Sequence, residues 1–321
     1  MIYTDAQRYG LKSKKMLRHF LQVQTNQLFN QTFILDKIIP YIDTDGKSRL
    51  IEVPDKELRA IQKKIKNMLG KLVLPDYVFS GVKGKSYVDN ATHHSGTKFT
   101  YKVDVTAFFP SISREKVYLF FREKLKASPD VAESLTNLTT VDLHMKENIQ
   151  EIHDFLRKKN IKTWNHLISG APTSPILSYL ANSDMFDALY SLSKENKIVM
   201  TVYIDDIVFS SSYRISYKIR TKILNIIKQY GLQVNKKKLK LYTRKYPKKI
   251  TGVIIDKNGN SEVPNSLRKK IITELHTLKN DPNNLSSRQR LQGLVTSARQ
   301  IKKETFQNIC SYAYNHDFDR I

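Results

Sequence analysis

Two neighbouring carboxylates, Asp205 and Asp206, sit in the middle of the most β-prone run of the chain, Thr201-Val202-Tyr203-Ile204-Asp205-Asp206-Ile207-Val208-Phe209-Ser210. Apolar flanks of about equal length predict a hairpin with the aspartates at or beside its turn. Adjacent anions in apolar surroundings are costly unless paired or metal-bound. One reading is a solvated Asp-Asp turn, and taken alone this stretch favours it, because Asp is a common turn residue. The other is a divalent-metal site. Asp104, in Val103-Asp104-Val105, shifts the balance toward the metal. It is a lone carboxylate in a second buried-type strand, ended by Phe108-Phe109-Pro110. Three carboxylate ligands from two strands are what a pair of Mg²⁺ ions needs to clamp the attacking and leaving oxygens of a phosphoryl transfer.

Those strands need a scaffold, and 321 residues with 40% hydrophobic content suit two or three packed subdomains. The charge is the outlier: 54 Lys+Arg against 30 Asp+Glu give +24, which implies a polyanionic partner. No apolar run approaches the roughly 18 residues a spanning helix needs, and Met1–Arg8 has no apolar core of a secretory signal. The expectation is a cytoplasmic nucleic-acid protein without membrane contact. The single cysteine, Cys310, excludes an internal disulfide and a Cys-rich zinc site.

In chain order, residues 1–40 read as one or two amphipathic helices closed by Pro40. Asp45-Gly46 marks a hairpin with Arg49 on its return strand, opposite in facing to Leu50. Asp55 is an N-cap for a basic helix over 56–71. The Gly81–Ser86 loop lacks Walker spacing. His93 and His94, read as strand neighbours facing opposite ways, make a poor zinc site and suggest polar packing or RNA contact. Residues 113–160 are helical, comparatively acidic and without visible chemistry. Ser169–Pro175 is a loop of small residues leading into a helix over about 176–192. From Ile207 to Ile255 there is no Asp or Glu, while lysines and arginines alternate with Tyr213, Tyr217, Tyr230, Tyr242 and Tyr246. That mixture fits phosphate contacts plus base stacking better than a solvated face. Gly231–Asn235 reads as a turn into a strand, Ile250–Ile255 as one further strand, and Asn258-Gly259 as a tight turn. Basic helices follow from Ser261.

With Asp104 on one strand and Tyr203-Ile204-Asp205-Asp206 about 100 residues on, the chain resembles a reverse transcriptase across nearly its whole length. Arg49 with the helix after it looks like the fingers block, and Asp104–Ser111 like the first palm motif. Gly170–Pro175 looks like the template- and nucleotide-positioning loop, and Gly231–Lys238 like the Gly-Leu-x-Val-Asn-x-x-Lys block. Asn90-Ala91-Thr92-His93-His94 is similar to the Asn-Ala-x-x-His signature of bacterial retron reverse transcriptases, and Ile250-Thr251-Gly252 to their Val-Thr-Gly. Ser169 departs from the Gln common at its position, and the 125–165 segment is longer than in compact relatives.

The resemblance implies an α+β right-hand polymerase fold. Residues 1–98 would be N-terminal helices and fingers, 99–255 the palm with a helical insert over about 113–168, and 256–321 an α-helical, RNA-binding thumb. It implies Asp104, Asp205 and Asp206 as catalytic ligands of two Mg²⁺ ions. Lys47 and Arg49 would grip the triphosphate, Phe109 would gate the ribose 2′-OH, Gly170 would help place the nucleotide, and Lys238 would support a phosphate. Asn90, His94, Lys236, Lys237, Arg244, Arg268, Lys269 and Arg299 are the RNA-contact candidates. The implied partners are dNTPs, a cognate noncoding RNA that is template and primer, its cDNA, and a companion effector. Priming would start from a guanosine 2′-OH and give a branched RNA–DNA (msDNA) used against phage. Two alternatives stand beside this one. Another bacterial defence or group II intron-like reverse transcriptase lacks support from the two retron signatures. A non-catalytic RNA-binding scaffold has no need of three converging anions.

Overall fold

The computed structural model describes residues 9–44, 48–147 and 149–315. Along the chain run α1 (Lys14–Leu21), α2 (Gln31–Asp36), β1 (Ile38–Asp43), β2 (Arg49–Pro54), α3 (Lys56–Leu69), α4 (Tyr87–Thr92), β3 (Phe99–Asp104), α5 (Arg114–Leu119) and α6 (Pro129–Asn137). β4 (Thr140–Asp142), α7 (Gln150–Lys158), β5 (Asn165–Leu167), α8 (Ser174–Leu180), α9 (Ser183–Glu195), β6 (Val199–Tyr203), β7 (Asp206–Ser211) and α10 (Tyr217–Gln229) follow. The chain continues through β8 (Lys240–Tyr242), β9 (Lys248–Ile250), β10 (Val253–Ile255) and β11 (Ser261–Glu262) to α11 (Asn265–Asn280), α12 (Leu285–Ile301) and α13 (Gln307–Asn315). The class is α+β. Among the described residues no helix is long and apolar enough to cross a membrane.

β6, β7, β3 and β8 neighbour one another in that order in a four-stranded sheet; β11, β10 and β9 form a second sheet, and β1–β2 and β4–β5 are separate pairs. Two compact units interleave along the chain. One holds Met1–Gly84, Val103–Ile207 and Ser216–Leu239, the other Lys85–Lys102, Val208–Ile215 and Lys240–Ile321. They therefore do not coincide with the contiguous segments 1–98, 99–255 and 256–321.

In the first unit the sequence signals act locally as their chemistry dictates. Asp55 caps α3 by accepting the Leu58 N–H at 2.7 Å. Leu58, Ile61, Ile65 and Met68 then recur at helical spacing and are buried. β1 and β2 pair antiparallel with Asp43 opposite Arg49. Pro40 lies inside β1 rather than ending a helical region. β1 is an edge strand, where a missing N–H is tolerated. The single helix expected over about 176–192 is two, α8 and α9, with Asn182 between them.

In the second unit, two strand expectations need correction. Asn90 lies in helix α4, and His93 and His94 directly follow it; the start of that helix is fixed by a Ser86/Asp89 capping box that outweighs the β-branched residues nearby. Ile250–Ile255 is a hairpin, β9 and β10, joined by Thr251 and Gly252 at φ 41° and 88°. Two successive positive φ angles are what a type I′ turn requires. Gly259, at φ 90°, turns β10 into β11 as the Asn-Gly pair foretold. The core of this unit gathers Ile250, Val253 and Ile255 with Ile271, Leu275, Leu291 and Val295 of α11 and α12. In the first unit, Val234 makes only an isolated bridge to Val105, so the strand expected after Gly231 does not form.

Candidate active site

The hairpin between β6 and β7 forms, and its two-residue turn is Ile204–Asp205, with Asp206 opening β7. Ile204 has φ 57°, the positive first position of a type II′ turn, where glycine is usual. A β-branched side chain there stores roughly 1–3 kcal/mol of strain. Such strain persists only where its surroundings hold the backbone.

Asp104 is the last residue of β3 and is 7% exposed. Its carbonyl accepts the Asn235 N–H at 2.9 Å, and the Val105 N–H donates to the Asp205 carbonyl at 3.3 Å. Main-chain bonds thus tie the Asp104 strand to the Asp205 turn on one side and to the Gly231–Lys238 stretch on the other. Lys238 Nζ donates to Asp104 Oδ1 at 2.5 Å. Burial, then repulsion from Asp206 and Asp104, pushes the Asp205 carboxyl up to about 6, against partial relief from its backbone hydrogen bond and Lys238. The trio carries more negative charge than one lysine offsets.

These residues border a cleft of about 550 Å³. Arg49, Phe109, Ser169, Asp205 and Lys238 line it, joined by Phe155 and Lys159 from α7 and just beyond its end. Ala107, at φ 42°, kinks the chain after β3, burying Phe108 and leaving Phe109 half-buried on the cleft wall. Residues 113–160, read as without visible chemistry, thus contribute these two side chains to the cleft wall. Lys159 Nζ lies 5.4 Å from the centre of the Phe155 ring.

The structure thus gathers Asp205, Lys238, Arg49 and Phe109 around one cavity, with Asp104 bonded to Lys238 and Asp206 adjacent in the chain to Asp205. Lys47 lies outside the described residues. Gly170 is set otherwise than expected: its N–H donates to the Glu52 carbonyl at 3.1 Å, and a Cβ there would run into that carbonyl oxygen. Its bareness serves a close approach to β2. Among the RNA candidates, Asn90 and His94 are fully buried and turned inward, which corrects the contact expected of them. Asn90 Nδ2 donates to Thr251 Oγ1 at 3.3 Å, and His94 Nδ1 lies 2.6 Å from Ser210 Oγ. Arg268 is engaged by the Val263 carbonyl and Glu262. Lys236, Lys237, Arg244 and Lys269 are exposed and Arg299 is half-exposed.

The sequence reading missed Glu52 and His166, both 0% exposed, with His166 Nε2 2.7 Å from Glu52 Oε1. Burial pushes His166 toward losing its proton, but the charge and hydrogen bond of Glu52, helped by the Thr163 carbonyl and Asp142, leave its pKa raised. A visible signal existed: Glu52 shares the Leu50 face of an alternating strand, the buried one.

Among the described residues no three His, Cys, Asp or Glu side chains already converge on one ion. The donor chemistry nevertheless fits a hard dication. The groups are oxygen ligands, and Asp205 is pushed up by burial and then by the Asp206 and Asp104 carboxylates beside it.

Residues 41–255 match the family model described as "Reverse transcriptase (RNA-dependent DNA polymerase)". The chain is 30% identical over 200 residues to the retron Se72 reverse transcriptase of Salmonella heidelberg, covering 60% of this chain and 46% of that protein. It is 27% identical over 235 residues to the retron Ec83 reverse transcriptase of Escherichia coli, covering 71% and 70%. To the retron Ec86 reverse transcriptase of Escherichia coli it is 28% identical over 213 residues, covering 66% and 59%. The chain thus spans about half the length of the first of these relatives. A solved structure of foamy viral protease-reverse transcriptase in complex with double-stranded DNA aligns over 92% of this chain and 42% of its own, at TM-score 0.45 and 19% identity.

Proposed function

The chain belongs to the reverse transcriptase (RNA-dependent DNA polymerase) family, and from that premise we propose that it is a retron-type RNA-directed DNA polymerase. It copies part of a cognate structured RNA into DNA, primed from a guanosine 2′-OH, and the branched msDNA works with a companion effector in antiphage defence. The observation that carries the polymerase reading is the meeting of Asp205 with Lys238, itself bonded to Asp104, at a cleft whose walls bear Arg49 and Phe109. The retron reading rests on similarity to retron reverse transcriptases at 27–30% identity.

Asp104, Asp205 and Asp206 would hold two Mg²⁺ ions, which lower the pKa of the primer hydroxyl and stabilise charge on the phosphoryl oxygens. Arg49, with Lys47, grips the triphosphate through fork-shaped or point charge. Phe109 places an aromatic edge where a ribose 2′-OH would stand and so favours dNTPs. Lys238 keeps its ammonium at the cleft, neutralising Asp104 and available to a phosphate. The fold is the family's right hand, with fingers over 1–98, palm over 99–255 and thumb over 256–321. Exposed Lys236, Lys237, Arg244 and Lys269 supply phosphate contacts to the RNA.

The test is to express the protein with a few hundred bases of its upstream DNA and analyse the nucleic acid that co-purifies, with and without RNase. An RNase-resistant single-stranded DNA of discrete length, joined to RNA and lost in Asp205→Ala, is the expected result. Bare RNA from the wild type would overturn the polymerase reading, and heterogeneous DNA the retron one.

A further inference from the structure

Two stretches far apart in sequence form facing parts of the cleft, β2 with Arg49 and the loop that opens at Ser169. A polar cluster built on the fully buried Glu52 and His166 joins them. Glu52 Oε1 meets His166 Nε2 at 2.7 Å, and Glu52 Oε2 accepts the Ser169 N–H at 2.8 Å. The Glu52 N–H donates to Ser169 Oγ at 3.0 Å, and the Glu52 carbonyl accepts the Gly170 N–H at 3.1 Å. Both main-chain polar groups of Glu52 and both its carboxylate oxygens are therefore engaged by residues 166–170.

The protonation follows from partner chemistry. His166 Nδ1 faces the Thr163 carbonyl at 2.9 Å, an acceptor only, so Nδ1 carries a proton. Nε2 faces a carboxylate, so it carries another, and the pair is imidazolium with carboxylate. A buried ion pair is a weak source of net stability, since desolvation cancels most of its attraction. What it supplies is a fixed spacing and direction. Gly170 tightens that spacing, since any side chain would collide with the Glu52 carbonyl.

We infer that the Glu52–His166 pair is a latch that fixes the strand carrying Arg49 against the Ser169–Gly170 loop, making Glu52 and His166 positioning residues for the incoming nucleoside triphosphate. This rests on the polymerase reading above. Arg49 lies three residues from Glu52 in one strand, so a shift of β2 at the latch is carried directly to the guanidinium. The latch also accounts for Ser169: its hydroxyl serves β2, where a longer side chain would reach toward substrate.

The experiment is steady-state primer extension by the protein with its co-purifying RNA, with kcat and dNTP KM resolved and a melting curve for each variant. Glu52→Ala cuts the latch, and Gly170→Ala wedges it open without removing a polar group. Both are expected to raise dNTP KM by about tenfold or more with a smaller change in kcat, as a misplaced binding wall does. Glu52→Gln keeps the geometry: its amide oxygen accepts the Ser169 N–H while its NH₂ donates to a neutral His166 Nε2. It is expected to stay within about threefold of wild type in KM, a rescue that a loss of general stability would not show. Wild-type KM in folded Glu52→Ala or Gly170→Ala overturns the latch, as does a Glu52→Gln as impaired as Glu52→Ala. If Glu52→Ala does not fold, Gly170→Ala and His166→Gln decide by the same KM criterion. A wild-type protein that incorporates no dNTP would instead sink the polymerase reading.

Discussion

His166 and His94 are both fully buried, and the two units of the molecule treat them in opposite ways. His166 faces a carboxylate and a carbonyl and keeps its proton. His94 faces the Ser210 hydroxyl, and burial followed by the charges of His93 and Lys248 pushes it down to about 3, so it stays neutral. The unit with the cleft carries buried and half-buried charge throughout: Glu52 with His166, Lys238 with Asp104, Asp205 beside Asp206. The other unit buries its charges singly and without a carboxylate: Lys248 is held by the Thr97 carbonyl, Arg288 by the Tyr312 and Pro282 carbonyls, and Asn90 joins Thr251 by a neutral hydrogen bond. Charge fixes direction as well as distance, which is what a site acting on phosphates needs. Carbonyl and other neutral partners suffice to hold a scaffold.

The sharpest way to break that contrast is at Asp205. Asp205→Asn keeps the shape and removes the charge, so primer extension should fall by on the order of 10³-fold, as loss of a transition-state stabiliser does. The co-purifying RNA should be retained in equal amount, because binding depends on lysines and arginines elsewhere. Retained extension would show that the buried charge is structural in both units. Phe109→Val is next in size. It should relax discrimination between dNTP and NTP by roughly 10–10² in kcat/KM, the scale set by one pocket contact. Melting temperature should move little, since Phe109 is only half-buried.

How much of this was legible beforehand follows how local each signal is. The hairpin with Asp205 in its turn, Asp104 on a second strand and Asp55 as a cap were readable, because each depends on local pattern and residue chemistry. The inward use of Asn90 and His94 was not. Polar residues look alike in sequence whether they face a nucleic acid or a partner such as Thr251, about 160 residues away. The helix under Asn90 was misread because a six-residue element gives periodicity too little length to speak. Glu52 and His166 escaped for a third reason. Their pairing is between stretches over a hundred residues apart, and only the buried parity of Glu52 hinted at it.

A smaller effect separates the histidines by pH. The folded state holds His94 near 3 against 6.5 when unfolded, so above pH 6.5 neither state binds the proton and stability is unaffected. Below pH 6.5 the unfolded chain takes up a proton the folded unit refuses, and stability falls by about 1.4 kcal/mol per unit, or about 2 kcal/mol at pH 5. His166, with its pKa raised, has the opposite sign: its contribution is complete in acid and fades as pH rises through its folded value. Urea melts of wild type and His94→Gln between pH 5 and 8 should therefore diverge in slope on the acid side. Parallel curves would mean that His94 accepts a proton in place.

The smallest expected effects come from two β-branched residues at positive φ, one in each unit: Ile204 at 57° and Thr251 at 41°. Glycine at either site would release about 1–2 kcal/mol of backbone strain while adding about 0.5–1 kcal/mol of unfolded-state entropy. Ile204 is half-buried beside Asp205, so Ile204→Gly should leave stability within about 1 kcal/mol of wild type. Activity should nonetheless drop, because the turn that aims Asp205 is freed. Thr251 differs because its hydroxyl donates to the Tyr87 carbonyl at 2.8 Å and accepts from Asn90. Losing two such bonds at about 1 kcal/mol each outweighs the relief, so Thr251→Gly should destabilise by about 1 kcal/mol. Its extension rate at a temperature where it is folded should be unchanged. Opposite results, with Thr251→Gly slowing extension and Ile204→Gly leaving it intact, would place the strained backbone that serves chemistry in the wrong unit.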